Sequence, residues 1–423
     1  MGLRVLATLL ITFLGIIGAI SYDAFYALIA YAFWSYTYPE KATWGTLPVQ
    51  GLSYLTGVIL IWMTIMRKKR LFSGHPLNIA IIVFWFMCAG SVFTAGFTDI
   101  AMWQFKYFSR VILITLVITA LVDDIKRFRY YLWAITIFVG AVAARSGIMG
   151  VVGGIVYEGS REGFAGVIAD RNFMAVILCS MMPVVFFLMT TERRAWIKVI
   201  LVVILGGDVL ATYLTYARAG FIGMFSSGVF LITKLRRKIF AILIFAVFSA
   251  LFMTHIVSKA YLERITAVTR IDEITTTDLS AAIRMHAWNS AIRMIIEKPL
   301  TGVGFYMSDA EMEKYPDPQT GRVISDTAIH NSVLQVGAEV GLPALLLYFF
   351  IFFTGYKMLG KIRRKVNRGL LEPYFLDYAS MLQVCFVGFF TSAFFVNAAF
   401  IDISWHLIAL TIALTQIAHK QEG

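Results

Sequence analysis

Charge is scarce in this chain. Asp, Glu, Lys and Arg make up 15% of its 423 residues, where a soluble domain runs nearer a quarter. Cysteine is scarcer still. Cys88, Cys179 and Cys385 all lie inside apolar runs, which leaves neither a disulfide framework nor a thiolate metal cluster and marks them as packing residues. Recognisable catalytic signatures are missing as well. No Walker loop or glycine-rich dinucleotide fingerprint follows a strand-like run, so nucleotide-driven transport has no support. There is no His-Glu-x-x-His, and the histidines at 75, 255, 286, 330, 406 and 419 share no metal-ligand spacing on one side of the chain. No catalytic metal and no cofactor is expected. No nucleophile elbow and no internal repeat is present. Met1–Ile20 has no small-residue cleavage site before Tyr22, so it reads as a retained first span rather than a signal peptide.

What the chain does have is apolar length. It is 59% hydrophobic with a mean hydropathy of +0.76, and runs of about 17–25 apolar residues cross a bilayer as helices. Candidates are Leu3–Ile20, Phe25–Trp34, Leu52–Met66, Leu77–Ala95, Phe108–Val122, Tyr131–Ala144, Phe173–Met189, Ile197–Tyr213, Phe221–Ile232, Phe240–Ile256, Leu342–Met358, Leu382–Phe395 and Ile403–Ile417. The fold class is therefore all-α: one polytopic membrane domain over 1–423, with about 12 crossings, or 13 if residues 1–36 cross twice.

Lys and Arg crowd into Arg67–Arg70, Lys126–Arg129, Arg193–Lys198, Lys234–Lys238 and Lys361–Arg368. These fall on every second connection and mark the cytoplasmic side. They also account for the net charge of +12 without nucleic acid. With 12 crossings both termini are expected on that side. The connections Tyr36–Gly51, Arg145–Asn172, the turn Ala217–Gly220 and the long segment 255–331 then face outward.

The chemically expensive residues collect on that outward side. Arg218 lies between two apolar runs, where a permanent charge needs a partner or a task. Arg171 opens another span behind Asp170, beside Asn172 as a second capping candidate. Asp208, in mid-span, reads as a pair with a neighbouring helix. Segment 255–331 forms a large insertion. Within it Ser280–Glu297 has the spacing of an amphipathic helix, with Ile283, Ala287, Ala291 and Ile295 on one face and Arg284 and Trp288 one turn apart. Pro299 stops that helix and Gly302 and Gly304 allow a tight turn. The acidic, proline-containing stretch Ser308–Asp326 reads as a mobile loop or lid. A second helix is expected to begin at His330 and break at Gly341-Leu342-Pro343, with Glu339 in a structural pair or cap. Arginine forks fit phosphate geometry, and a histidine titrating near neutrality can take a proton from a hydroxyl. The set therefore suggests metal-free group transfer from a lipid diphosphate to a hydroxyl.

These residues carry a resemblance. Arg284, Trp288 and Ala291, then Pro299-Leu300-Thr301-Gly302-Val303-Gly304, then His330-Asn331 with Leu334, Gln335, Glu339 and Gly341 resemble the pattern of the O-antigen ligase and polysaccharide polymerase superfamily. Tyr216-Ala217-Arg218-Ala219-Gly220 is similar to its Ser-Arg-Gly element, with Ala217 in place of the serine. Asp170-Arg171-Asn172 before a span supports the likeness. Trp34 to Pro39 and Thr43-Trp44-Gly45 are similar to exosortase-associated O-glycosylation ligases. The resemblance implies transfer of a polysaccharide from undecaprenyl diphosphate to a hydroxyl of lipid A–core oligosaccharide. Transfer would invert the anomeric carbon without a metal, at the periplasmic face of the bacterial inner membrane. His330 would be the general base and Arg218, Arg284 and Arg171 would hold the diphosphate, supported by Asn331, Trp288 and Arg161. A polymerase or a protein O-oligosaccharyltransferase would use the same residues, with the loop 305–328 selecting the acceptor. A lipid-linked sugar transporter would place its ionisable residues deeper.

Overall fold

The computed structural model describes residues 3–37, 39, 50–67, 69, 74–152, 170–215, 217–234, 276–316 and 327–422. The expected span Phe240–Ile256 and Arg161 lie outside them. The described residues form helices and no strand. They are α1 (Leu3–Ser21), α2 (Phe25–Thr37), α3 (Gln50–Met66), α4 (Pro76–Val92), α5 (Thr98–Leu121), α6 (Ile125–Val152), α7 (Arg171–Thr191), α8 (Ala195–Leu214) and α9 (Arg218–Lys234). They continue with α10 (Thr276–Glu297), the short α11 (Ser308–Glu311), α12 (Ser332–Val340), α13 (Leu342–Asn367), α14 (Tyr374–Ala393) and α15 (Asp402–Glu422). Among them α5, α7, α8, α13 and α14 are long and apolar enough to cross a membrane. This is an all-α, multi-pass membrane protein.

The basic loops gather on one face and are tied together there. Lys69 pairs with Asp123, Arg127 with Asp23 at 2.9 Å, Arg129 with Glu192 at 3.3 Å and Lys365 with Glu422 at 2.6 Å. Lys420 Nζ donates to the Asp123 carbonyl at 3.1 Å. Of the two crossing counts left open, the one with 12 crossings and both termini on one side fails against this frame, and the one in which residues 1–36 form two passes fits it. Arg67 donates to the Ile20 carbonyl at 3.3 Å, so the end of α1 sits on the basic face, beside Asp23 and Arg127. The helix therefore runs from Leu3 on the opposite face, and the start of α1 does not share a side with the end of α15. The two N-terminal helices pack as an antiparallel hairpin, with Trp34 Nε1 donating to Thr12 Oγ1 at 3.1 Å.

The centre of the bundle is α14, packed against α7, α9, α13 and α15. Close packing brings α7 and α9 together near the face opposite the basic loops. A Cβ on Gly220 would lie 2.7 Å from the Ala175 Cβ, and such small residues are what lets membrane helices approach. Asp208 departs from its expected pairing. It is fully buried, and neither carboxylate oxygen has a hydrogen-bond partner among the described residues. The three cysteines are buried and free.

The insertion is anchored in the bundle rather than suspended above it. Phe305, just past the Pro299–Gly304 turn, is fully buried and stands 4.7 Å from Phe400 and 5.8 Å from Phe108, ring centre to ring centre. Edge-to-face and tilted aromatic contacts of this kind exceed the value of their area alone. The turn also pairs with α12: Val303 N–H donates to the Ala338 carbonyl at 2.8 Å and Gly304 N–H to the Glu339 carbonyl at 3.3 Å. Gly302 has φ +65° and its missing Cβ would meet the Glu339 carbonyl carbon at 2.3 Å, so only glycine fits there.

A second core forms inside the insertion. Ala287, Ala291 and Met294 of α10 pack with Val303, Met312, Tyr315, Ile329 and Ala338. The amphipathic reading of α10 holds, and the helix begins four residues earlier than expected, at Thr276. The lid reading of Ser308–Asp326 does not hold for its first half. Residues 308–316 form α11 and a turn of 3-10 helix at Met312–Lys314, with Met312 and Tyr315 buried. Residues 317–326 lie outside the described set.

Candidate active site

Four segments converge at the face opposite the basic loops. The first is the start of α7. Asp170 caps it, its Oδ1 accepting from Asn172 N–H at 2.6 Å and Phe173 N–H at 3.2 Å, which places Arg171 as the first helical residue. The second is the start of α9, where Arg218 is again the first residue. Ala217, just before it, carries no side-chain oxygen with which to cap the first-turn amides, and its own N–H donates to Thr215 Oγ1 at 3.2 Å. Gly220 seats α9 against Ala175, so the two arginines start adjacent parallel helices.

The third segment is α10 and the fourth is the strand of chain before α12. Trp288 Nε1 donates to the Ile329 carbonyl at 3.0 Å, and its ring packs edge-on to Phe394 at 5.7 Å. Trp288 thus fixes the backbone one residue ahead of His330. His330 itself has φ +53°, a left-handed conformation that a residue with a side chain adopts only when its surroundings impose it. This corrects the expectation that the helix begins at His330. It begins at Ser332, because Asn331 takes the cap position and its side chain accepts from Val333 N–H at 2.9 Å and Leu334 N–H at 3.1 Å. The surroundings that impose His330's conformation are the α14–α15 connection. Asn331 N–H donates to Asn397 Oδ1 at 3.2 Å, Ser332 Oγ to the Val396 carbonyl at 2.6 Å, and Ala398 N–H back to Ser332 Oγ at 2.8 Å.

The charges of these segments feel one another. Burial, with Arg218 and Arg171 nearby, lowers the proton affinity of Arg284. Burial and the Arg284 guanidinium hold His330 below its usual value of 6.5, while the Asp170 carboxylate pulls it upward. At neutral pH the imidazole is therefore uncharged. Arg171 and Arg218 are exposed and Arg284 and His330 half-buried, so the group is open to solvent on one side. Among the described residues none of the three guanidiniums has an ion-pair partner within 4 Å. Three like charges gathered without a carboxylate partner oppose one another, and an anion placed among them would relieve that opposition.

Glu339, at the far end of α12, stands apart from this group and supports it structurally. Its carboxyl accepts from Ser308 Oγ at 2.7 Å and from Gln335 Nε2 at 3.4 Å, and its carbonyl accepts from Ser91 Oγ at 2.5 Å. Burial pushes its pKa up to about 8, so it acts as a neutral joint between α4, the 302–308 turn and α12. Sequence reasoning treated Asp170 only as a cap and missed its position beside His330. It also passed over Asn397, whose one visible signal is a polar residue interrupting the apolar run from Phe394 to Phe400.

Comparison with known proteins supports the resemblance. The O-antigen ligase family model matches residues 200–349, the stretch that holds Arg218, Arg284, Trp288, His330 and Glu339. A protein of Rickettsia conorii described as "Putative polysaccharide ligase" is 22% identical over 228 residues, 52% of each chain. One of Rickettsia bellii with the same description is 27% identical over 178 residues, 40% of each chain. The chain thus spans about half the length of the curated relatives it matches, or less.

Proposed function

We propose that this chain, similar over residues 200–349 to the O-antigen ligase family, is a glycosyltransferase of the O-antigen ligase type. It would move a polysaccharide from undecaprenyl diphosphate to a hydroxyl of lipid A–core oligosaccharide, at the periplasmic face of the inner membrane. The observation that carries the proposal is the gathering of Arg171, Arg218 and Arg284, with no ion-pair partner among the described residues, beside an uncharged His330.

In this reading the arginines hold the diphosphate. Arg171 and Arg218 each begin a helix, so the positive end of a helix dipole adds to each side chain. His330 takes the proton of the acceptor hydroxyl as its oxygen attacks the anomeric carbon. The bond from that carbon to the diphosphate oxygen breaks, and undecaprenyl diphosphate leaves with the electron pair. Attack from the side opposite the leaving group inverts the anomeric centre. The charge that builds on the departing oxygens falls among guanidiniums fixed in place beforehand, the arrangement that contributes most to catalysis of this kind. The lowered proton affinity of His330 suits the role, because only the neutral ring can accept a proton.

The test uses protein purified in detergent, undecaprenyl-diphosphate-linked polysaccharide, and EDTA, with and without lipid A–core. A core-linked ladder that needs the core, and that disappears in His330→Ala while donor binding persists, supports the proposal. Longer polymer on the carrier without core would reassign the chain to the polymerases. Near-normal turnover by His330→Ala would remove the general-base assignment.

A further inference from the structure

The helix that carries Arg284 has a second apolar face that no part of the described protein covers. Met285, Ile292 and Ile296 lie within about 40° of one another on a wheel of 3.6 residues per turn, on the side away from the Ala287, Ala291 and Met294 core. All three are exposed, Ile296 at 71%. Leu300, just past the helix end, is 75% exposed and extends the same stripe.

Both parts of this helix are pinned to the outer ends of membrane-spanning segments. In its middle Arg284 feels the charge of Arg171 and Arg218, the first residues of α7 and α9, and Trp288 packs on Phe394 and Phe395 just past the end of α14. Beyond its C-terminal end Leu342 N–H donates to the Pro299 carbonyl at 2.7 Å, joining the helix terminus to the first turn of α13. A helix held at both places runs along the bilayer surface rather than away from it. The stripe is also continuous with a lipid-facing surface. Leu300 abuts Gly341 and Leu342, and from there the exposed side chains Leu342, Leu346, Phe350 and Phe353 descend the outside of α13. Lys298, exposed beside Leu300, stands where a cation meets anionic lipid head groups.

We propose that α10 is an interfacial helix whose Met285–Ile292–Ile296–Leu300 stripe is immersed in the outer leaflet at the boundary of head groups and acyl chains. The occupant of that face is lipid. With its other face packed on the protein core, a helix at this level lies in the plane of the interface with its open apolar side toward lipid, which spares four large apolar side chains from water. The helix then holds Arg284 at the level of the lipid phosphates. The inference concerns membrane placement and stands whether or not the transfer chemistry does.

The buried state of Cys88, Cys179 and Cys385 makes the test direct, since a new surface cysteine is labelled alone. Ile296→Cys and, as an aqueous control, Glu313→Cys are each coupled to the fluorophore NBD and reconstituted in phosphatidylethanolamine–phosphatidylglycerol liposomes. Glu313 is exposed on the short 3-10 turn of the insertion. Expected is a blue-shifted emission at 296, quenched several-fold more by lipid carrying a spin label high on its acyl chain than by iodide, with the order reversed at 313. Equal access of iodide to both positions would overturn the inference. So would protection of 296 from both quenchers, which would assign the stripe to a protein partner or a second copy of the chain. Ile292→Cys provides an independent repeat on the same face.

Discussion

The joint between the Pro299–Gly304 turn and α12 gives the sharpest test of how the insertion is built. Gly302→Ala introduces a methyl 2.3 Å from the Glu339 carbonyl carbon and 2.5 Å from Val340 N, at a residue with φ +65°. A left-handed alanine costs about 1–2 kcal/mol, and forcing an extra carbon into a packed contact costs about 1–3 kcal/mol. The joint should therefore open more easily by about 2–5 kcal/mol, or roughly 30- to several-thousand-fold in population at 1.36 kcal/mol per decade. Cys88 reports that opening. It is fully buried in α4, one turn from Ser91, whose hydroxyl holds the Glu339 carbonyl. Where opening is fast relative to modification, thiol labelling follows the open population. In Gly302→Ala the labelling of Cys88 should accelerate by about that factor, while Cys179 and Cys385, buried in α7 and α14, change little; peptide mass spectrometry separates the three. Gly369→Ala is the control. Gly369 also has a positive φ, +73°, but nothing lies within 4 Å of its missing Cβ, so the steric part of the cost is absent and Cys88 should keep its rate. Unchanged Cys88 labelling in Gly302→Ala, or equal acceleration of all three thiols, would refute the reasoning.

Three further outcomes follow from the site. The acid limb of kcat/KM for transfer should have its midpoint below pH 6.5, because burial and Arg284 lower the proton affinity of His330. Arg284→Gln removes a group that favours the neutral ring and should move that midpoint up, whereas Asp170→Asn removes one that favours the charged ring and should move it down; a shift of both variants in the same direction would contradict the placement. Trp288→Phe keeps the packing on Phe394 but leaves the buried Ile329 carbonyl without its donor, a loss of about 1–3 kcal/mol, and it should lower kcat with little change in KM for the donor. Arg218→Lys should not restore the donor affinity lost in Arg218→Ala, since a lysine offers a point charge in place of the planar fork that grips two phosphate oxygens.

What was legible in the sequence divides along a physical line. The face of α10 could be read because Ala287, Ala291 and Ile295 repeat at helical spacing and one side of the helix does pack. The arginines could be read because permanent charge beside apolar runs is expensive wherever it occurs. His330 was legible as a residue but not as a conformation. Asn331 competes for the cap, and it prevails because Asn397, 66 residues away in sequence, holds its N–H and the Val396 carbonyl, 64 residues from Ser332, holds the hydroxyl that follows. The acidic, proline-bearing run from Ser308 resembled a free loop by composition, yet Met312 and Tyr315 are spaced one turn apart and find a core on α10 that is invisible without the tertiary fold. The side occupied by the start of α1 failed for the same reason. A count of crossings fixes orientation only modulo one helix, and the contacts that decide it, Arg127 to Asp23 and Arg67 to the Ile20 carbonyl, join helices that sequence order keeps far apart. Each miss is thus a long-range contact overriding a sound local preference, and those on Ile329, Asn331 and Ser332 also hold the backbone on either side of His330.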